Sequence, residues 1–300
     1  MAPRPLLALL FAALAGVGST PQAWAQAVPL KVAAVQMRST FDVSANAAFI
    51  AGQLEKLSAQ GVQVAVFPEC ALTGYTTRAD FRFDAAAVAQ AEAEIIRLCA
   101  KLRIAIVLGT VYPAGGKLFN AALIVNSRGE VVERFGKLQL AGEKWATPGN
   151  HMALFELEGV LSTVIICHDE RYPEFVRIPA LAGARVVYYI SHESGMKSES
   201  KLPGYRAQMM ARAVENQIFA VAANAPGNVQ DNSGSHGQSR IILPDGNILK
   251  EASYYGADVL VETLSIQPGK LTRPLEGVTA EFWKRGLAQL MNDRRRKLGE

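Results

Sequence analysis

The chain of 300 residues is half hydrophobic, carries 31 Lys and Arg against 27 Asp and Glu, and has three cysteines. That composition excludes a disordered chain, a collagen-like repeat and a disulfide scaffold. A net charge of +4 is too thinly spread over this length to point to a nucleic-acid partner.

Residues 1–27 read as a secretory signal peptide. Arg4 gives a positive start, Leu6 to Val17 is an apolar run, and Ala23-Trp24-Ala25 and Ala25-Gln26-Ala27 are small-x-small cleavage patterns. The run falls short of the roughly 20 apolar residues that a bilayer crossing needs. No later stretch is long and apolar enough to span a membrane. The expectation is an exported protein, periplasmic or secreted, folded over residues 28–300 and not membrane-bound in its mature form.

From there strand-like and helix-like patterns alternate. Leu30 to Met37, Val62 to Glu69, Ile104 to Tyr112, Val160 to Cys167, Arg185 to Ser191, Ile218 to Asn224 and Val259 to Thr263 are apolar or β-branched runs of strand length. Phe49, Ile50, Leu54 and Leu57 mark one helix face ended by Gly61, and helices are also predicted over 85–102 and 206–217. Two hairpins are expected, one around Ser127-Arg128-Gly129 and one around Pro244-Asp245-Gly246-Asn247. Near-continuous apolar strands with helices between them predict an α/β class with mixed sheets. No Gly/Ser/Pro linker and no fixed-period repeat divides residues 28–300, so one domain is expected.

The cysteines are odd in number, so at least one is unpaired within the chain, and in an exported protein such a thiol invites a chemical role. Cys99 falls on an apolar helix stripe with Ile95 and Leu102 and reads as core. Cys167 ends a buried strand where His168-Asp169-Glu170 begins, the place where α/β sheets bind ligands. As a nucleophile it needs a base. If the strand runs through both residues, His168 points to the opposite face, so the base has to come from elsewhere.

Glu69 ends another buried run, where an unpaired carboxylate would cost several kcal/mol and desolvation would raise its pKa toward that of a general base. Strand alternation would turn Cys70 away from Glu69, into the core. Lys137, flanked by apolar residues after a predicted hairpin, has Glu143 six positions on. The four histidines, His151, His168, His192 and His236, show no metal-ligand spacing, and there is no phosphate-binding glycine motif. No metal or cofactor is expected.

Together these segments resemble the nitrilase, or carbon-nitrogen hydrolase, superfamily. The resemblance runs from Ala33-Ala34-Val35-Gln36-Met37 through Phe67-Pro68-Glu69 with Gly74-Tyr75, then Asn120, Lys137-Leu138 and Gly142-Glu143. It continues through Cys167-x-Asp169-x-Arg171-Tyr172-Pro173-Glu174, Ala211-Arg212-Ala213-x-Glu215-Asn216, Gly237-x-Ser239 and Pro244-x-Gly246. Each motif alone is weak; their order and spacing carry the resemblance.

The resemblance implies a four-layer α-β-β-α sandwich and a hydrolase that cleaves a non-peptide C–N bond of a small amide or N-carbamoyl compound, releasing ammonia or an amine. Cys167 would form a thioester, Glu69 would serve as base and acid, and Glu143 would position substrate and lysine. Lys137 and the His168 backbone N–H would hold the oxyanion, each such donor contributing about 3–4 kcal/mol. His168, His192 and Tyr75 are candidates for the pocket lining. His168-Asp169 in place of the Trp-Glu typical of true nitrilases leans toward amidase or N-carbamoyl amidohydrolase activity. Nitrile hydrolysis, acyl transfer and a dead binding site are the alternatives.

The partner expected is a small-molecule substrate, with a homodimer or higher homo-oligomer implied by the resemblance. Arg171 and Glu174 are expected to form an ion pair behind the nucleophile. Glu170 and Glu193 stay open between attracting a cationic substrate and plain surface charge. Arg294-Arg295-Arg296-Lys297 reads as a solvated helix end or a dimer contact.

Overall fold

The structure, a computed structural model, describes residues 27–193, 202–230, 234–267 and 280–298. The expected signal peptide, up to residue 26, lies outside the described residues. The first half of the chain supplies β1 (Val28–Gln36), α1 (Val43–Ala59), β2 (Val64–Val66), α2 (Ala85–Leu102), β3 (Ala105–Ala114), β4 (Lys117–Val125) and β5 (Val131–Gly136). Local chemistry sets the helix ends. The Asp42 carboxylate accepts the Ala45 N–H at 3.0 Å, and Asp84 accepts those of Ala86 and Ala87, satisfying donors that have no partner within the helix. Arg103, in the left-handed region, closes α2.

The second half supplies β6 (Phe155–Leu157), β7 (Val160–Ile166), α3 (Glu174–Leu181), β8 (Val186–Ser191), α4 (Leu202–Asn216), β9 (Phe219–Asn224), β10 (Arg240–Ile242), β11 (Ile248–Glu251), β12 (Asp258–Ile266) and α5 (Ala280–Leu298). Two six-stranded sheets result, ordered β12-β1-β2-β3-β4-β5 and β11-β10-β9-β8-β7-β6. Each has a parallel trio at its centre, β1-β2-β3 in one and β7-β8-β9 in the other, flanked by antiparallel strands. The class is α/β, as expected.

Burial shows the layering. Side chains such as Val32, Val66 and Val107 of the first sheet meet Val164, Tyr188 and Ile190 of the second in one apolar core. The other face of the first sheet packs on α1 and α2 through Ile50, Leu54, Ile95 and Cys99. The second sheet does the same with α3 and α4 through Ile165, Val176, Tyr189 and Met209. The sequence of layers is therefore helix, sheet, sheet, helix.

Several elements differ from the sequence expectation. β2 ends at Val66 and β7 at Ile166, each short of the run that predicted it. The hairpin between β6 and β7 turns on Glu158 and Gly159, both at positive φ. α3 follows Pro173 and holds Pro179 inside it, which hid its helical pattern. Arg171 and Glu174 are both exposed and no ion pair between them occurs among the described residues; Arg171 lies over the Tyr205 ring, 5.9 Å from its centroid. The basic run falls in the last turns of α5, where Arg295 and Arg296 are exposed. No helix among the described residues is long and apolar enough to cross a membrane.

One close approach ties the first sheet to the turn after β2. A Cβ on Gly109 of β3 would lie 2.0 Å from the Pro68 carbonyl oxygen and 2.7 Å from the Glu69 Cα. Only glycine admits that contact. Gly109→Ala is expected to lower stability by about 1–3 kcal/mol; urea denaturation should show a lower midpoint with an unchanged slope.

Candidate active site

The parallel strands β2 and β7 both deliver their C-terminal ends to one region between the sheets. Glu69 lies three residues past β2 in a tight turn, in which Cys70 takes φ 50° and Gly74 φ 77°. The turn is held by the Ala71 N–H to the Pro68 carbonyl and the Gly74 N–H to the Cys70 carbonyl. Lys137 follows β5 directly; its N–H donates to the Asn120 carbonyl, and its own carbonyl accepts the Gly149 N–H, each at 2.8 Å. Both side chains are fully buried.

Lys137 Nζ donates to Glu69 Oε1 at 2.7 Å and to Glu143 Oε1 at 2.5 Å. Asn120 Nδ2 donates to Glu69 Oε1 at 2.7 Å and reaches Glu143 Oε1 at 3.4 Å. Tyr75 Oη and the Ala141 N–H complete the shell of Glu143. Burial pushes the Glu69 carboxyl up, and the Lys137 charge offsets this only in part. For Glu143 burial acts in the same direction, but Lys137 together with the backbone N–H groups of Glu143 and Ala141 outweighs it and the carboxyl is lowered. Burial works against the Lys137 ammonium, and the negative groups around it, Glu69 first, raise its pKa well above the ordinary lysine value.

Cys167 is the first residue of a short 3-10 turn, Cys167–Arg171, and takes φ 47°. Its Sγ lies 3.9 Å from the His192 carbonyl oxygen, and the His192 N–H donates to Glu69 Oε2 at 2.8 Å. One backbone unit after β8 thus lies against the thiol on one side and the carboxyl on the other. Burial, with the Glu69 charge, pushes the thiol well above its usual range. That shift favours the thiol over the thiolate, so Cys167 would need a base to act as a nucleophile.

Asp169 joins this turn to the lysine segment. Its carboxyl accepts the N–H groups of Leu138 and Gln139, at 3.1 and 2.7 Å, and that of Ile166 at 3.1 Å. Burial drives Asp169 up to about 7 against the pull of those donors.

The structure therefore brings Glu69, Lys137, Glu143 and Cys167 together. His192 stacks on Tyr75 at 4.6 Å between ring centroids, so these two form one aromatic wall. Burial lowers His192 to about 4, which keeps its imidazole neutral. His168, half-buried, packs edge-on against Tyr172, and its pKa is lowered chiefly by burial.

Three expectations need correction. Strand alternation governs neither Glu69 and Cys70 nor Cys167 and His168, because each pair sits in a turn beyond its strand. Cys70 is buried, yet its Sγ faces Asn120 Oδ1 at 3.6 Å, beside the charged cluster. Glu170 and Glu193 are not surface charges: both are buried, and Glu193 is held by Tyr189 Oη at 2.5 Å and His236 Nε2 at 2.9 Å. Sequence reasoning gave Asn120 and Asp169 no role. An asparagine inside the apolar strand Lys117–Val125 was the one local signal for the former.

Residues 31–273 match the family model for carbon-nitrogen hydrolases. The chain belongs to that family. This carbon-nitrogen hydrolase is 30% identical over 250 residues to the "Hydrolase in agr operon" of Staphylococcus aureus, covering 79% of this chain and 92% of that protein. It is 32% identical over 193 residues to the 2-oxoglutaramate amidase of Bacillus subtilis, covering 63% and 73%. Among solved structures it resembles a variant of the amidase from Nesterenkonia sp. AN1 that carries the acetamide moiety of fluoroacetamide at its active-site cysteine. The TM-score is 0.71 and the identity 26%, with 79% of this chain and 90% of that one covered. The fold and the chain thus place the protein in the nitrilase superfamily, beside amidases.

Removing the buried ammonium should expose what it balances. Lys137→Met leaves two buried carboxyls without their cation, a change expected to cost about 3–5 kcal/mol at pH 8. At pH 5, where the unpaired carboxyls take up protons, the loss should be smaller; denaturant titrations at the two pH values check this.

Proposed function

We propose that the protein hydrolyses a small linear amide or N-carbamoyl compound through a thioester on Cys167, releasing ammonia or an amine. The observation that carries this reading is the fully buried Lys137 held between Glu69 and Glu143, with the Cys167 thiol across one backbone unit from Glu69. The names of the amidase relatives, one with the acetamide moiety of fluoroacetamide added covalently at its active-site cysteine, support amide chemistry at a reactive cysteine.

In this mechanism Glu69 takes the thiol proton as Sγ attacks the carbonyl carbon. The oxygen gains charge between Lys137 Nζ and the His168 N–H, donors whose positions are fixed before reaction. The C–N bond then breaks and Glu69 returns its proton to the leaving nitrogen. A water molecule, deprotonated by Glu69, attacks the thioester carbon; the acid leaves and the thiol is restored. The neutral, stacked pair of Tyr75 and His192, with His168, would line the acyl side of the pocket. The sequence of residues 1–27 supports export, and the homodimer reading rests on family resemblance.

Ammonia release measured across amides, ureido acids and nitriles tests the reading. Wild type should release ammonia from an amide or a ureido acid, and Cys167→Ala should abolish it; turnover persisting in Cys167→Ala would remove the nucleophile. A pH profile tests the base. Activity needs ionised Glu69, so kcat/KM should fall as pH drops through its raised pKa. Glu143 is one of the charges that raise Glu69, so Glu143→Gln should move that acid limb to lower pH.

A further inference from the structure

Tyr189 lies on the helix-facing side of β8, packed among Ile165, Val176 and Met209. Its hydroxyl is 2.5 Å from Glu193 Oε1 and 3.3 Å from the carbonyl oxygen of Cys167. Glu193 is itself fixed, by His236 Nε2 at 2.9 Å from Oε2 and by its own N–H to Asn224 Oδ1 at 3.3 Å. The phenol ring therefore has little freedom. Its single proton faces two acceptors: the nearer carboxylate anchors the ring, and the carbonyl shares the donor as a three-centre contact.

That carbonyl belongs to the same planar peptide as the His168 N–H, and in a trans peptide the two point in opposite directions. Whatever fixes one aims the other. The peptide follows a residue at φ 47°, a strained region in which a side-chain-bearing residue persists only where its surroundings hold it. Rotation of this peptide would present a carbonyl oxygen, in place of an N–H, to a developing negative charge.

We propose that Tyr189 is a positioning residue for the oxyanion site: its hydroxyl holds the Cys167 carbonyl and so directs the His168 N–H at the substrate oxygen. The inference rests on the proposed thioester mechanism and adds to it a residue that never touches substrate.

The test compares two reactions of Cys167 in the full chain. Amide hydrolysis needs the oxyanion donors; methyl methanethiosulfonate, which transfers a methylthio group to the sulfur and releases methanesulfinate, needs only the activated thiol. In Tyr189→Phe, kcat/KM for the amide should fall about 10- to 100-fold, while the methanethiosulfonate rate stays within about twofold. Glu193→Gln keeps an oxygen facing the hydroxyl and should retain amide kcat/KM within about threefold.

An unchanged amide rate in Tyr189→Phe, a parallel fall of both its rates, or an equal loss in Glu193→Gln would each overturn the inference. Should Tyr189→Phe fail to fold, the Tyr189→Phe/Glu193→Gln double variant removes the charge left without its donor, and the same two rates decide. Absence of wild-type release of either ammonia or an amine would overturn the proposed function and this inference with it. Wild-type release with Tyr189→Phe unaffected would overturn this inference alone.

Discussion

A lysine ammonium with no access to water, 2.7 Å from one carboxyl and 2.5 Å from another, is the constraint around which the rest of this protein is arranged. Desolvating an ion of this size carries a penalty of several kcal/mol even after relaxation. The structure meets it with opposite charge and with donors on the remaining carboxylate lone pairs: Asn120, Tyr75, the Ala141 N–H and the His192 N–H. Burial raises both carboxyls; for Glu69 it prevails over the Lys137 charge, whereas for Glu143 Lys137 and the backbone N–H donors prevail, so Glu69 is raised and Glu143 lowered. The environment thus gives two chemically identical side chains different tasks. In the proposed mechanism Glu143 is the fixed counter-ion and Glu69 the group that exchanges a proton.

Holding that cluster requires segments far apart in sequence to meet within hydrogen-bond distance. The two parallel trios supply coarse placement, since β2 and β7 end on the same side of the interface between the sheets. Fine placement comes from buried side chains that bind backbone. Asp169 joins the lysine segment to the nucleophile turn through three N–H groups. Gly109 lets the Glu69 turn rest directly on β3. These contacts lie outside the reacting set, yet each sets the position of a reacting group.

What the sequence made legible follows from what local patterns encode. The α2 boundaries emerge as expected over 85–102 because Asp84 caps one end and the apolar stripe has helical period. The three side chains proposed to react, which the structure brings together, were conspicuous as charged or nucleophilic residues at the ends of apolar runs. The failures have separate causes. The strands end at Val66 and Ile166, three residues and one residue before the expected runs do, and Cys70 and Cys167 take positive φ in the turns beyond them, a conformation that a cysteine does not announce. Tyr189 was invisible for another reason: Val186-Val187-Tyr188-Tyr189-Ile190 reads as a uniformly buried strand, and only the tertiary fold shows that one phenol meets a carboxylate and a carbonyl.

The two cysteines also show why a reactive thiol is a matter of neighbours more than of exposure. Both are buried, both sit in the left-handed region just past a parallel strand, and burial raises the pKa of both. They differ in which oxygen of Glu69 the residue beside each sulfur binds. Oε1 is taken up by Lys137 and by Asn120, the residue that Cys70 faces. Oε2 receives one backbone N–H, from the residue whose carbonyl lies against Cys167. The lone-pair capacity left on Glu69 is therefore on Oε2, which in the proposed mechanism would take the proton from that sulfur. Cys70, beside an oxygen already bound by an ammonium and an amide, has no such outlet, and its burial makes it part of the wall.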